Sequence, residues 1–314
     1  MSDYHIDQAL TGYAVELGGG GPFVADRIYP VVPVSKTSDK FWTFEKALGE
    51  HVDDLMADMT KAKVLQWKHS TDTYSCEQRA LRRFLSDIKI NDMDEFHRKN
   101  WEKNTVKRLM NQLRLNLEHR VKDVVFSSTY ITNYSTPTTK WDGSSPTIEK
   151  NIDTAKESVA VKSGHEPNTV LIPRAIANVM KNDSTILDKV KYTDPSLLIN
   201  GDLPPVLFGL NVIIPGAIQN SANPGQSQSL ARVWSDENVL VCYVDPEPDA
   251  ETYTLGSQFR AKHPGASRDE DRFFVRKYRD EETENGGWWI EVGFLNDEKL
   301  VASGAGYLLT SVLT

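Results

Sequence analysis

The chain has little cysteine, no long apolar run and no excess of positive charge. Cys76 and Cys242 are its two thiols, far apart and without CxxC spacing, which excludes a disulfide framework and a cysteine zinc site and leaves two buried thiols as the expectation. No stretch approaches the roughly 20 apolar residues of a membrane helix. The start MSDYHIDQAL lacks the basic and then apolar regions of a secretory signal, so synthesis in the cytosol and no membrane partner are expected. Lys and Arg number 36 against 44 Asp and Glu, a formal net charge of −8. That balance disfavours wrapping around nucleic acid, which needs clustered cations to release counterions, and leaves room for a local basic patch.

Chemistry-bearing motifs are missing as well. There is no Gly-x-Ser-x-Gly elbow, HExxH helix, Walker loop or EF-hand loop. The run Leu17-Gly18-Gly19-Gly20-Gly21-Pro22 is not followed by Gly-Lys-Ser/Thr and reads as a hinge or turn. His5, His51, His69, His97, His119, His165 and His263 are dispersed, none at metal-ligand spacing from another. Asp245, Glu247, Asp249 and Glu251 alternate with prolines and an alanine, but the central glycine of a calcium loop is absent, so a solvated connection is expected. Asn133-Tyr-Ser135 and Asn182-Asp-Ser184 match the glycosylation pattern by chance in a cytosolic chain. No catalytic, cofactor-binding or metal-binding residue is assigned, and no nuclease, protease or nucleotide hydrolysis is expected with or without magnesium or zinc.

What is present is apolar material in ordered patterns. Hydrophobic residues make up 39% of the 314, enough for a sizeable core. Residues 1–34, with YPVVPV at 29–34, have a composition that cannot propagate a helix and read as an extended arm. In 35–78, Phe41-Trp42-Thr43-Phe44 and Val64-Leu65-Gln66-Trp67 alternate like strands, placing Trp42 with Phe44 and Leu65 with Trp67, and the acidic GEHVDDLMADMT lies between them. A long projecting hairpin is the expectation. From 92 to 126, Val106, Leu109, Met110, Leu113, Leu117, Val121 and Val124 recur mostly every three or four residues, predicting one long helix capped by Asp92 or Asp94. Arg98, Lys99, Lys103, Lys107, Arg108 and Arg114 are read as its solvated or salt-bridged side, with contact to an acidic partner or DNA as the alternative.

Beyond a Ser/Thr/Pro-rich stretch, a helix is expected from Ile148 to Lys162, a buried strand at 169–172, and a helix through Met180 with Pro173 in its first turn. Strands follow at 206–207 and 212–214, and NSANPGQSQS is a loop. Near the end, 274–278 and WWIEVGFL alternate, and Asn285-Gly286-Gly287 turns one run onto the other. Trp288, Ile290, Val292 and Phe294 share one face.

This order of elements resembles the tailed-bacteriophage major capsid proteins of the Hong Kong 97-type fold. Four segments are similar to the family in detail: 28–36, entering the projecting loop; 165–174, a strand and helix start of the axial domain; 186–192, following that helix; and 301–309, the closing strand. The resemblance implies an α+β capsid fold with an arm (1–34), an extended loop (35–78), a peripheral domain (79–147 and 240–314) carrying the spine helix (92–126), and an axial domain (148–239). It implies a structural subunit that assembles with copies of itself into pentamers and hexamers around phage DNA. Other partners would be a scaffold, portal and decoration proteins, with DNA touched non-specifically. Phe41, Trp42, Phe44, Leu65 and Trp67 are expected to meet a neighbouring subunit. An encapsulin-like compartment shell is the alternative within the fold, and a tail or decoration protein lies further off. No cross-linking lysine and asparagine pair can be placed.

Overall fold

The computed structural model describes residues 10, 23–44, 54–56, 61–62, 64, 70–191, 203–223, 225–234, 237–264, 273–280 and 286–314. The strands in chain order are β1 Val31–Val34, β2 Ser38–Thr43, β3 Ser70–Ser75, β4 Glu77–Ser86 and β5 Tyr134–Ser135. They continue as β6 Thr169–Leu171, β7 Val206–Leu207, β8 Leu210–Ile213, β9 Ile218–Asn220 and β10 Leu230–Arg232. The last are β11 Val239–Cys242, β12 Gly256–Ala261, β13 Phe274–Asp280, β14 Gly287–Leu300 and β15 Gly306–Leu309.

The long helix runs unbroken over Glu95–Val125, 31 residues and so about 46 Å at 1.5 Å per residue. Asp94 holds the N-cap position, though its carboxylate makes no capping bond. Val106, Met110, Leu113, Leu117, Val121 and Val125 form its buried seam, at spacings of three and four, with Leu109 and Val124 half-buried at its border. Of the solvated or salt-bridged alternatives, Arg114 takes the second: it is buried and pairs with Asp26 at 3.8 Å.

The helix packs on a five-stranded sheet whose hub is β14. One edge of β14 pairs with β4 from Gly287 to Asn296; β13 and then β12 share the other. Ile290, Val292 and Phe294 turn to the helix with Val275 and Leu81, as period-two alternation dictates. The expected β13–β14 pairing is therefore formed; residues 281–285 of its connection lie outside the described residues.

Part of the expected arm belongs to this body. Ala25–Ile28 form a helical turn, against the extended reading, and β1 adds to the sheet parallel to β12. Pro33 is tolerated there because β1 is an edge strand, so its missing N–H breaks no ladder. Residues 17–22, with the glycine run, lie outside the described residues. Tyr29 is wholly buried, and a Cβ added at Gly256 would stand 2.4 Å from its ring. Gly256→Ala is expected to lower stability by about 1–3 kcal/mol through this overpacking, read as a lower denaturant midpoint at unchanged slope.

A six-stranded sheet in the order β5-β15-β11-β6-β8-β7 forms the second core. The helix Ile148–Ser163 packs on β15 and β11, and Arg174–Met180 joins the same apolar cluster, with Pro173 at the N-cap rather than in the first turn. β7 and β8 are joined by a two-residue turn, Phe208-Gly209, with φ of 54° and 77°. β11 and β15 belong to this sheet, whereas the sequence division grouped most of β11 and all of β15 with the peripheral strands. NSANPGQSQS is the tip of a small β9–β10 hairpin.

Candidate functional site and assembly surface

The hairpin expected at 35–78 opens with β2, which carries Phe41, Trp42 and Thr43 and pairs with β3; of the second strand expected at Val64–Trp67, residues 65–67 lie outside the described residues. Phe41 faces Asp72 and Trp42 faces Thr71. The aromatic residues at its root are largely spoken for within the subunit. Phe41 is 1% exposed, with its ring 4.9 Å from Phe259, which also stacks on Tyr74 at 4.6 Å. That burial removes Phe41 from the expected inter-subunit set: β3 and β12 offer it a ready apolar hollow. Trp42 and Phe44 are half-buried; the Trp42 amide donates to the Ala250 carbonyl at 3.1 Å, and the Phe44 ring lies edge-on to Tyr253 at 5.3 Å. Leu65 and Trp67 lie outside the described residues. Further along the loop, Leu55 and Val64 are 77% and 85% exposed.

The sequence reading missed how the entering chain is held. Glu118, fully buried on the long helix, accepts the backbone N–H of Val24 at 2.5 Å and of Ala25 at 2.6 Å on Oε1, and the indole N–H of Trp234 at 2.5 Å on Oε2. One carboxyl thus ties three segments remote in sequence. Burial pushes the Glu118 carboxyl up, with the Ala25, Trp234 and Val24 donors pulling against it. Beside it, Gln258 Nε2 donates to Asp26 at 2.9 Å and to the Tyr29 carbonyl at 2.6 Å, and Arg260 Nη2 donates to Gln258 Oε1 at 2.9 Å. The only sequence signal was a pair of charges, Arg114 and Glu118, four apart inside the apolar stripe.

A second buried carboxylate joins helix to sheet. Arg120 grips Glu298 with two bonds, 3.1 Å from Nε and 2.7 Å from Nη2, and Asn296 donates a third at 2.8 Å. Burial alone would raise the Glu298 carboxyl, but the Arg120 bonds and charge and the Asn296 bond outweigh it and hold it below its usual 4.5. A depressed pKa contributes stability that is present above the unfolded value and lost as pH falls through the folded one. Arg120→Ala is expected to cost about 2–3 kcal/mol near neutral pH, with the gap to the wild type narrowing as the solution is taken below the ordinary carboxylate range of about 4. Urea unfolding at a series of pH values measures both.

The remaining candidate groups serve local structure. Asp245 and Asp249 accept the amides of Glu247 and Ala250, and no group of three or more potential metal ligands occurs among the described residues. His165 stacks on both Tyr243 and Tyr253, and Asn168 bridges both backbone groups of Val244 at 2.7 and 3.0 Å, extending the β6–β11 ladder. Asn133 of the first glycosylation match is buried against the Gly306 carbonyl, Ser158 and Lys162. Both cysteines are free and buried. No described helix is long and apolar enough to cross a membrane.

No family model matches the chain. It is 26% identical over 241 residues to a major capsid protein of Pseudomonas phage JBD67, covering 74% of this chain and 75% of that one. Among solved structures it is similar to a phage-related protein from Bordetella bronchiseptica, with a TM-score of 0.69 over 99% of both chains at 20% identity. It is also similar to the capsid of cyanophage P-SCSP1u, with a TM-score of 0.58 over 91% of this chain and 87% of that one at 10% identity. A virus-like particle from Pyrococcus furiosus follows, at 0.53 over 98% and 100% with 10% identity. The chain therefore has the Hong Kong 97-type capsid fold.

Proposed function

We propose that the chain is the major capsid protein of a bacteriophage: a structural, non-catalytic subunit that assembles with its own copies into pentamers and hexamers of an icosahedral shell and resides in the virion. The observation that carries this reading is the capsid fold along nearly the whole chain together with the similarity to a phage major capsid protein. The mechanism is geometric. A rigid spine and two sheets present fixed edges, heterologous contacts between identical subunits repeat until curvature closes them, and many modest contacts add up to a stable shell. A scaffold, a portal, decoration proteins and non-specific contact with packaged DNA complete the proposed set of partners. Electron microscopy of the purified chain tests the reading: closed particles of uniform diameter are expected, and a chain that stays monomeric at high concentration overturns it. Nucleic acid inside particles from infected cells would separate a phage head from a compartment that holds enzymes.

We assign the hairpin beyond its root, with Leu65 and Trp67 and the half-covered Trp42 and Phe44, to contact with a neighbouring subunit. Its root carries Phe41 into the subunit's own core, so an informative excision starts after Phe44. Replacing 45–69 by a short Gly/Ser linker is expected to leave a folded, soluble chain that forms no closed particles, with circular dichroism and sedimentation reading the two properties separately. Normal particles from this variant would remove the hairpin from the assembly mechanism.

A further inference from the structure

A cavity of about 400 Å³ lies between the start of the helix Arg174–Met180, the β7–β8 segment and the small β9–β10 hairpin. Arg174 and Arg232 stand on its walls, and Pro204, Pro205, Ile214 and Pro215 contribute an apolar floor. Among the described residues two guanidinium groups line it and no carboxylate does. Arg232 is exposed and forms no ion pair among the described residues. Paired arginines above an apolar floor suit an acidic segment with apolar residues between its charges: each guanidinium grips a carboxylate in a fixed fork, and the floor takes the side chains between.

This chain carries such a segment. Residues 245–251, DPEPDAE, hold four carboxylates, two prolines and no Lys or Arg. Asp245 and Asp249 are engaged with the amides of Glu247 and Ala250, which shapes the loop. Glu247 and Glu251 are exposed and form no ion pair among the described residues. Resting on the shell reading above, we propose that the cavity receives residues 245–251 of a second copy of this chain. Pro246 and Pro248 lie on the proline floor, and Glu247 and Glu251 meet Arg232 and Arg174.

The occupant comes from another copy because loop and cavity belong to opposite ends of one sheet. β11 runs antiparallel to β6, with Leu240 opposite Leu171 and Cys242 opposite Thr169, so it leaves the sheet at the Asn168 end. Asn168 pins Val244 there, and the Trp42 amide holds the Ala250 carbonyl. Arg174 follows the other end of β6. The six steps from Asn168 to Arg174 span about 20 Å at 3.3 Å per residue. A contact between unlike ends is head-to-tail: it leaves each copy with a free loop and a free cavity, so it repeats from copy to copy and ends only when the rotation closes a ring.

The test uses that repetition. A full-length chain carrying Ile218→Cys beside the cavity and Asp249→Cys on the loop, both at exposed positions outside the proposed pairs, is assembled and treated with a short bis-maleimide. Cys76 and Cys242 are buried. Denaturing electrophoresis is expected to show a ladder of dimers, trimers and longer chains, and none from either substitution alone. In parallel, Arg232→Glu is expected to keep the circular dichroism spectrum and lower particle yield roughly tenfold, since the lost contact recurs around the shell. Adding Glu247→Arg is expected to restore it. Particles whose chains give no link, only an intrachain link or a dimer that extends no further overturn this inference and leave the shell reading standing, as does an undiminished yield from Arg232→Glu. Wild-type chains that form no particles overturn both.

Discussion

Glu118→Ala is expected to lower the stability of the subunit by about 3–5 kcal/mol. The carboxyl serves three N–H donors in the interior, those of Val24, Ala25 and Trp234, and alanine would leave all three without an acceptor. Glu118→Gln separates hydrogen bonding from size. Its amide oxygen still serves one side of the site, but its NH2 must face a donor on the other, so a loss of about 1–3 kcal/mol is expected. The raised carboxyl pKa adds a pH signature. A group whose pKa is raised in the fold contributes stability that is full below its unfolded value, here 4.5, and declines as pH rises through the folded value. Denaturant unfolding of unassembled subunits measures each quantity, and a Glu118→Ala chain as stable as the wild type would mean that the entering segment is held by its apolar contacts alone.

Leu113→Pro is expected to cost about 3 kcal/mol or more and to abolish particle formation. Proline removes one hydrogen bond and clashes with the preceding turn near the middle of the 31-residue helix, and Leu113 is also lost from the seam facing Ile290, Val292 and Phe294. Leu113→Ala keeps the backbone intact and costs about 2–5 kcal/mol by cavity formation alone. The comparison isolates continuity of the strut: alanine chains should still close particles when stabilised by an osmolyte such as sucrose, and proline chains should not. Equal yields from the two variants would show that an unbroken helix is not required.

These two positions differ in how legible they are in the amino-acid sequence. The helix is legible because its apolar residues recur at helical spacing, and the expected span of 92–126 is matched by Glu95–Val125. Glu118 is not, since one carboxylate within an apolar stripe looks like an ordinary surface residue until the partners from 24–25 and 234 are brought to it. The same physics divides the strands. β13 and β14 alternate apolar and polar residues because one face is covered by the helix, so the pattern is local. β4, with three arginines in EQRALRRFLS, and β3, STDTYS, carry no such signal: they are strands because β14 and β2 supply their ladders. Ser70–Ser75 escaped the sequence reading for this cause: Val64–Trp67 is the more apolar segment, and Ser70–Ser75 pairs with β2. Phe41 was assigned outward because alternation tells which residues share a face but not which face is covered. Among the proposed interface residues, Trp42 and Phe44 retain partial exposure.

The strand order also sets a schedule for the newborn chain. β1 pairs with β12, β4 with β14, and β5 with β15, so segments 31–34, 77–86 and 134–135 wait for partners at 258–261, 287–296 and 308–309. On a ribosome those early segments emerge long before the strands that complete them, and such distant pairings are slow to close. Until residues 287–309 have been made, both sheets therefore remain unfinished. On the shell reading proposed above, a chain whose residues 287–309 are not yet made has no finished sheet to offer a neighbour.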